Sequence, residues 1–345
     1  MANGKWQMTE GRANLKAGER AGGQAGRLPY FGGGLTTGGT QRLMAGESGM
    51  RSLGHPQIWL PAGCRRSMNK QLGDIRHVAL DMDGTIYSGG TLFESTLPFL
   101  AVLRELGIGF TFLTNNSSKS AEDYLAGLRQ TGIVATPDQL YTSTQATIEH
   151  LRAHHLPAVR RLFVLGTASM SRELERAGFA PTADSATDEP DGVLVGFDTE
   201  LTFSRLCRAA YWIRKGKPFV ATHPDRVCPT DQPTVLVDCG SICAALEQAA
   251  GRGPDVVLGK PDPCMLRGIL SRHALAPRQL AMVGDRLYTD MAMAHRAGAL
   301  GVLVLTGETT AVEGANHLPA PDLVVSGLAE FGERLRAAQQ EEGSK

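Results

Sequence analysis

The 345-residue sequence predicts an α/β protein, a doubly wound parallel sheet with a second α/β unit inserted into it. Three observations carry that expectation. From Asp74 onward, short apolar runs alternate with longer segments of helical length, the pattern of successive strand–helix crossovers. The run His77-Val78-Ala79-Leu80 enters a turn at Asp81-Met82-Asp83-Gly84-Thr85, as a strand buried on both faces does. The alternation breaks near residue 145 and resumes near 255, with strands and helices of its own in between. The length agrees with two domains.

Residues 1–70 hold 15 of the 41 glycines, including Gly32-Gly33-Gly34, and show a period of neither 2 nor 3.6. Such a segment buries too little apolar surface to offset its ordering entropy, so disorder is expected. A transit peptide would need an amphipathic pattern that is lacking here, and an upstream start of the reading frame is as good a reading, because Met68 sits just before the fold begins.

The first half of the core, 71–144, is expected to hold a strand at 75–81 and a helix at 95–106 that Gly107 ends. A strand at 108–113 follows, then a helix at 120–131 capped by Ser118 or Ser120, then a strand at 139–142. The inserted unit, 145–254, should carry strands at 160–165, 192–197, 218–222 and 234–238, with helices at 169–177, 202–215 and 241–250. Pro and Asp crowd 181–191 and 224–233, which marks loops. The core resumes over 255–335 with strand Val256-Val257-Leu258, a helix at 262–274 and a strand at 280–283. A helix at 289–297 and strands at 301–305 and 322–325 complete it. The polar tail from Gln339 is expected to fray.

Charge balances at 35 basic and 35 acidic residues, so no general preference for polyanions or membranes follows. Residues 1–67 carry nine Lys/Arg against three Glu, but without interleaved aromatics this arm is a weak case for nucleic acid. No apolar stretch approaches the roughly 20 residues that span a bilayer. The six cysteines show neither CxxC nor zinc-ligand spacing, so reduced thiols of a cytoplasmic protein are expected, Cys239 and Cys243 included.

Asp81 and Asp83 are two positions apart, so an ideal strand would point both to one face. Gly84 and Thr85 turn the backbone and offer free amides to an anion. Two acids over such a turn make chemical sense if a cation joins them, or if one acid is the nucleophile; a strand ending in a capped turn would look the same. Three further motifs decide between these readings: Thr114-Asn115-Asn116, Gly259-Lys260-Pro261, and Gly284-Asp285 with Asp290, each following its own apolar run.

This ordered set resembles the haloacid dehalogenase-like (HAD) phosphatases over roughly Asp74 to Leu335. The long insertion is similar to that of subfamily IIA, the NagD-type and 4-nitrophenylphosphatase-type hydrolases. The resemblance implies a Rossmann-like core and an α/β cap of type C2. It makes Asp81 the nucleophile, which attacks phosphorus to give an acyl phosphate. Asp83 becomes the acid that protonates the leaving oxygen and then the base for water. Thr114 and Lys260 would neutralise charge on the phosphoryl oxygens, with donors from Gly84, Asn115 and Asn116. Mg²⁺ would be held by the Asp81 carboxylate, the Asp83 carbonyl and Asp285, with Asp290 more remote.

In Ala221-Thr222-His223-Pro224-Asp225, His223 stands where relatives of the subfamily carry Asn, so His223 and Asp225 are expected to meet the leaving group. Other candidates are weaker. Gly32-Gly33-Gly34 lacks the strand and the Lys-Ser/Thr of a phosphate loop, and His154-His155 reads as solvated. Met291 and Met293 read as core, and Ser241 as a helix cap.

The implied function is Mg²⁺-dependent hydrolysis of a small-metabolite phosphomonoester through an aspartyl phosphate. A phosphotransferase or mutase is the alternative enzyme, and a non-catalytic phospho-ligand binder the alternative class. The expected partner is a small phosphorylated metabolite, without nucleic acid or membrane; a homodimer is allowed.

Overall fold

A computed structural model describes residues 68–343 apart from 70, 155–157, 229 and 231–232. The expectations for 1–67, with Gly32-Gly33-Gly34 and Cys64, and for His155 fall outside the described residues.

In chain order the first strands are β1 (His77–Asp81), the pair β2 (Tyr87–Ser88) and β3 (Thr91–Leu92), β4 (Gly109–Thr114) and β5 (Leu140–Thr142). Then come β6 (Arg161–Leu165), β7 (Ala180–Pro181), β8 (Gly192–Val195) and β9 (Phe219–Ala221). The pair β10 (Val227–Cys228) and β11 (Leu236–Val237) precedes β12 (Val256–Val257), β13 (Leu280–Gly284), β14 (Leu300–Val304) and β15 (Leu323–Val325).

One six-stranded parallel sheet has the order β15-β14-β13-β1-β4-β5. Successive strands therefore leave β1 in opposite directions, and the strand order reverses beside it. In open α/β sheets the ligand crevice forms at that reversal, at the carboxyl ends of the strands. The register brings the ends level: Leu80 pairs with Val283 on one side and Asp81 with Leu113 on the other. Every residue of β1 is buried, which is why the strand reads as an unbroken apolar run. Phe99 and Phe331, on helices Thr96–Glu105 and Leu328–Gly343, meet at a tilt with ring centres 5.6 Å apart in the largest core cluster. Each such fully buried side chain contributes about 1.5–3 kcal/mol.

The second sheet is also parallel, in the order β12-β9-β8-β6-β7, and two corrections arise from it. Strand 256–258 was expected to resume the core, but Val256 and Val257 pair with Val220 and Ala221 in the second sheet. A short apolar run carries no mark of which sheet it will join. The strand expected at 234–238, by contrast, does not enter the second sheet. Leu236–Val237 forms an antiparallel pair with Val227–Cys228, and both Leu236 and Val237 stay exposed.

Local signals account for several helix ends. Ser120, not Ser118, caps helix Ala121–Gln130, with Asp123 completing a capping box. Gly107 takes φ +66° after helix Thr96–Glu105, a conformation that favours glycine. The helix expected at 289–297 is a π-helical turn, Leu287–Met291, followed by Ala292–Ala297. As far as Gly343 the tail is helical rather than frayed: helix Leu328–Gly343 buries Ala338, and Gln339 Nε2 donates to the Gly73 carbonyl at 3.2 Å. Helix Ser143–His154 was not anticipated; its apolar face is narrow, and it packs on helices Ala168–Arg176 and Cys264–Arg272. No helix among the described residues is long and apolar enough to cross a membrane.

Candidate active site

The site forms where β1, β4 and β13 end. Asp81 closes β1, and its Oδ1 lies 2.5 Å from the Nζ of Lys260. The same ammonium reaches Asp290 Oδ1 at 2.8 Å, so Lys260 bridges two carboxylates whose side chains are almost enclosed. Burial alone would lower the Lys260 pKa, but Asp290 and then Asp81 outweigh it and hold the ammonium charged.

Four carboxylates converge here on few cations. Burial, then the Asp81 charge, raises Asp285 to about 6 and Asp290 to about 7. Asp83 stands on the open wall of the cleft. Although its surface reaches solvent, the protein packed around it and then the Asp81 charge raise its carboxyl above the usual range, with Arg286, Lys260 and Lys119 opposing. A carboxyl so raised is suited to carry a proton to a leaving oxygen.

The donor set fits a hard divalent cation. Asp81, Asp285 and Asp290, all buried, each offer an oxygen within 4.8 Å of the other two. Asp285 Oδ1 is buried without a hydrogen-bond partner, while Oδ2 accepts the Glu308 amide at 2.6 Å. A buried acceptor left unmatched in an all-oxygen cluster is what a metal would satisfy. The Asp285 carboxylate lies so close to Gly84 that any side chain there would collide with it, and Gly84 takes φ +76°.

The structure brings Asp81, Asp83, Thr114, Asn115, Asn116, Asp225 and Lys260 into one cleft. One of the anticipated contacts differs in kind. Asn115 was expected to donate to phosphate, but its side chain is already committed. Its Oδ1 accepts the Lys260 amide at 2.7 Å, and its Nδ2 faces the Lys260 carbonyl at 2.9 Å and Asp225 Oδ2 at 3.1 Å. Asn116 Oδ1 is taken by Ser118, which leaves the amide nitrogen, 3.9 Å from Cys228 Sγ, turned to the cleft.

His223 does not line the cleft, against expectation. It is fully enclosed, with Nδ1 2.7 Å from Thr222 Oγ1 and Nε2 2.9 Å from Asp238 Oδ1. Asp238 takes its place in the cleft wall and also caps helix Cys239–Ala250. His154 is exposed, Met291 and Met293 are buried, and Ser241 Oγ donates to the Arg226 carbonyl at 2.6 Å.

Sequence reasoning missed Arg286, Thr289 and Asp238, which also line the cleft. Arg286 pairs through Nε with Glu308 at 2.9 Å. Asp238 did carry a signal, since it ends the run Val235-Leu236-Val237 as Asp81 ends its own.

Residues 78–180 match the family model for haloacid dehalogenase-like hydrolases, and 257–331 a HAD-hydrolase-like model. The ribonucleotide monophosphatase NagD of Escherichia coli K12 is 31% identical over 259 residues, covering 74% of this chain and 98% of its own. A 4-nitrophenylphosphatase structure from Thermotoga maritima superposes with TM-score 0.72 at 40% identity, over 76% of this chain and 98% of that one. A glycerol phosphate phosphatase from Mycobacterium tuberculosis, solved in complex with magnesium, gives TM-score 0.69 at 31% identity, over 77% and 78%.

Proposed function

The chain belongs to the haloacid dehalogenase-like hydrolases, subfamily IIA, and from that premise we propose that it is a Mg²⁺-dependent phosphatase acting on a small-metabolite phosphomonoester through an aspartyl phosphate. The observation that carries this reading is the Lys260 ammonium 2.5 Å from Asp81 at the carboxyl end of β1. It places a fixed cation beside a carboxylate that would otherwise repel an incoming phosphate.

Asp81 attacks phosphorus, forming a P–O bond while the bond to the leaving oxygen breaks. Asp83 gives that oxygen its proton. Water then attacks phosphorus, Asp83 takes a proton from it, and the bond to Asp81 breaks to release phosphate. Lys260 and Thr114 hold charge on the phosphoryl oxygens, and Asn115 fixes the Lys260 backbone. Asp81, Asp285, the Asp83 carbonyl and, more remotely, Asp290 would hold Mg²⁺, which would supply neutralisation of charge on the phosphoryl group.

The inserted unit, read as 145–254 and extended by β12 to Val257, acts as the cap. Asp225, Val227, Cys228 and Asp238 support this, since they wall the cleft from that unit.

The test is phosphate release from a panel of phosphomonoesters with Mg²⁺ present, in wild type and in Asp81→Asn. The amide is isosteric but cannot attack phosphorus, so kcat should fall by about three orders of magnitude or more in a folded protein. Retention of roughly a tenth of the activity would remove Asp81 from the mechanism.

A further inference from the structure

Thr222-His223-Pro224-Asp225 leaves the end of β9, and Asp238 opens helix Cys239–Ala250. Three hydrogen bonds tie these segments together. The Gly240 amide donates to the Asp225 carbonyl at 2.7 Å, the Asp238 amide to the Arg226 carbonyl at 3.0 Å, and Ser241 Oγ to that same carbonyl at 2.6 Å. The tied loop gathers His223, Asp225 and Asp238, each offering an atom within 4.8 Å of the other two. None of them belongs to the group formed by Asp81, Asp285 and Asp290.

The His223 ring is held as a metal-ligating imidazole is held. Thr222 Oγ1 has Ser117 Oγ at 3.2 Å and Cys239 Sγ at 3.8 Å to donate to, so it accepts from Nδ1–H at 2.7 Å. The proton on Nδ1 leaves the lone pair of Nε2 aimed at Asp238 Oδ1, 2.9 Å away. Two acceptors face one another there, so a proton or a metal ion has to join them. A histidine that donates one N–H to a neighbouring oxygen while its other nitrogen ligates is the usual arrangement at zinc sites. Asp225 and Asp238 both reach the cleft, so a further position on the ion is open to water. Two carboxylates and a neutral imidazole carry two negative charges, which a divalent ion balances in a site where His223 and Asp238 are buried.

We propose that His223 Nε2, Asp225 and Asp238 form a second metal site, one that takes Zn²⁺ in preference to Mg²⁺, and that Zn²⁺ bound there inhibits the enzyme. A nitrogen among oxygens favours Zn²⁺, whereas the all-oxygen set at Asp81 favours Mg²⁺. On binding, Zn²⁺ takes the Nε2 lone pair, and the proton held between Nε2 and Asp238 passes to water. The cleft is small, about 40 Å³, so an ion with its water on this wall competes with a phosphoryl group for the space beside Lys260. Metal binding stands apart from the phosphatase reading, and only the inhibition rests on it.

The experiment dialyses the full chain against Zn²⁺ with Mg²⁺ in excess and counts both bound metals by atomic emission. It compares wild type with Asp225→Asn, His223→Asn and Asp285→Asn. Wild type should take up a single Zn²⁺ while keeping its Mg²⁺, and Asp285→Asn should still take up that Zn²⁺. Loss of one ligand of three should raise the Zn²⁺ dissociation constant about a hundredfold in Asp225→Asn and in His223→Asn. Melting curves identify the folded variants, and should His223→Asn fail to fold, Asp225→Asn decides. Zn²⁺ taken up only as Mg²⁺ is lost, or bound by folded Asp225→Asn within about threefold of the wild-type affinity, overturns the site. Hydrolysis of 4-nitrophenyl phosphate at saturating Mg²⁺ should stop as the site fills, and Asp225→Asn should need about a hundredfold more Zn²⁺ for the same effect. Full turnover with the site filled overturns the inhibition. If no ester is turned over at all, the phosphatase reading fails, while dialysis still decides the metal site.

Discussion

Asn115 and Lys260, 145 positions apart, pair through the Asn115 side chain and the Lys260 peptide, with Oδ1 to N at 2.7 Å and Nδ2 to O at 2.9 Å. The carboxamide holds both polar groups of the residue whose ammonium meets Asp81. It thus sets where the cation stands without touching phosphorus.

Asn115→Ala should therefore lower kcat about ten- to a hundredfold, because Lys260 loses its register against Asp81. It should also cost about 1–3 kcal/mol of stability, since a buried amide and carbonyl are left unpaired. Steady-state kinetics and urea unfolding check both. A fall in activity with no stability loss would assign Asn115 to substrate binding instead.

His223→Asn should act on folding rather than on substrate choice. Burial alone would lower the His223 pKa, but negative charge at Cys239, the Asp238 bond and charge, and Asp225 raise it from 6.5 to about 9. A raised histidine stabilises the fold fully below its unfolded pKa, near 6.5, and that contribution fades as pH climbs through 9. At pH 7 the variant should lose about 3 kcal/mol, because Asp238 is left without its buried partner. The gap between the two proteins should narrow by pH 10, and kcat/KM should drop by similar factors on small and large esters. A gap that is constant with pH would mean that His223 is not held as a cation.

His77 behaves in the opposite sense. Burial, with His273 stacked at 4.3 Å, lowers its pKa from 6.5 to about 4. The unfolded chain takes up a proton near pH 6.5 that the folded chain refuses until about 4. Stability is thus full above 6.5 and declines as pH falls, by up to about 1.4 kcal/mol per pH unit. Unfolding free energies at pH 7 and pH 5 should differ less in His77→Phe than in wild type. An equal difference in both proteins would place the acid sensitivity elsewhere.

Metal exchange should separate Mg²⁺ from Ca²⁺. Both suit the oxygens of Asp81, Asp285 and Asp290. Ca²⁺ takes more ligands at longer distances and can draw both Asp81 oxygens into coordination, which occupies the nucleophile. Chelation should abolish turnover, Mg²⁺ should restore it, and Ca²⁺ should raise the melting temperature without restoring activity. Full turnover after exhaustive chelation would exclude a metal role.

What the sequence by itself determined was the order of the strands along the chain and the residues at their carboxyl ends. Asp81, Thr114 and Asp285 were legible because each follows a run of apolar residues, and a strand buried on both faces writes that run directly into the chain. Sheet membership was not legible. Val256 and Val257 satisfy either sheet, and only the packing of β9 against β12 places them in the second. The fate of individual polar groups was decided by the tertiary structure as well. Asn115 is spent on Lys260, and His223 is enclosed against Asp238, because their partners lie 145 and 15 positions away. Arg286 and Asp238 each precede a different helical segment, Leu287–Met291 and Cys239–Ala250, and meet in one cleft. Strand patterns are local, so one sequence displays them; hydrogen-bond partners are chosen in space, after the chain has closed.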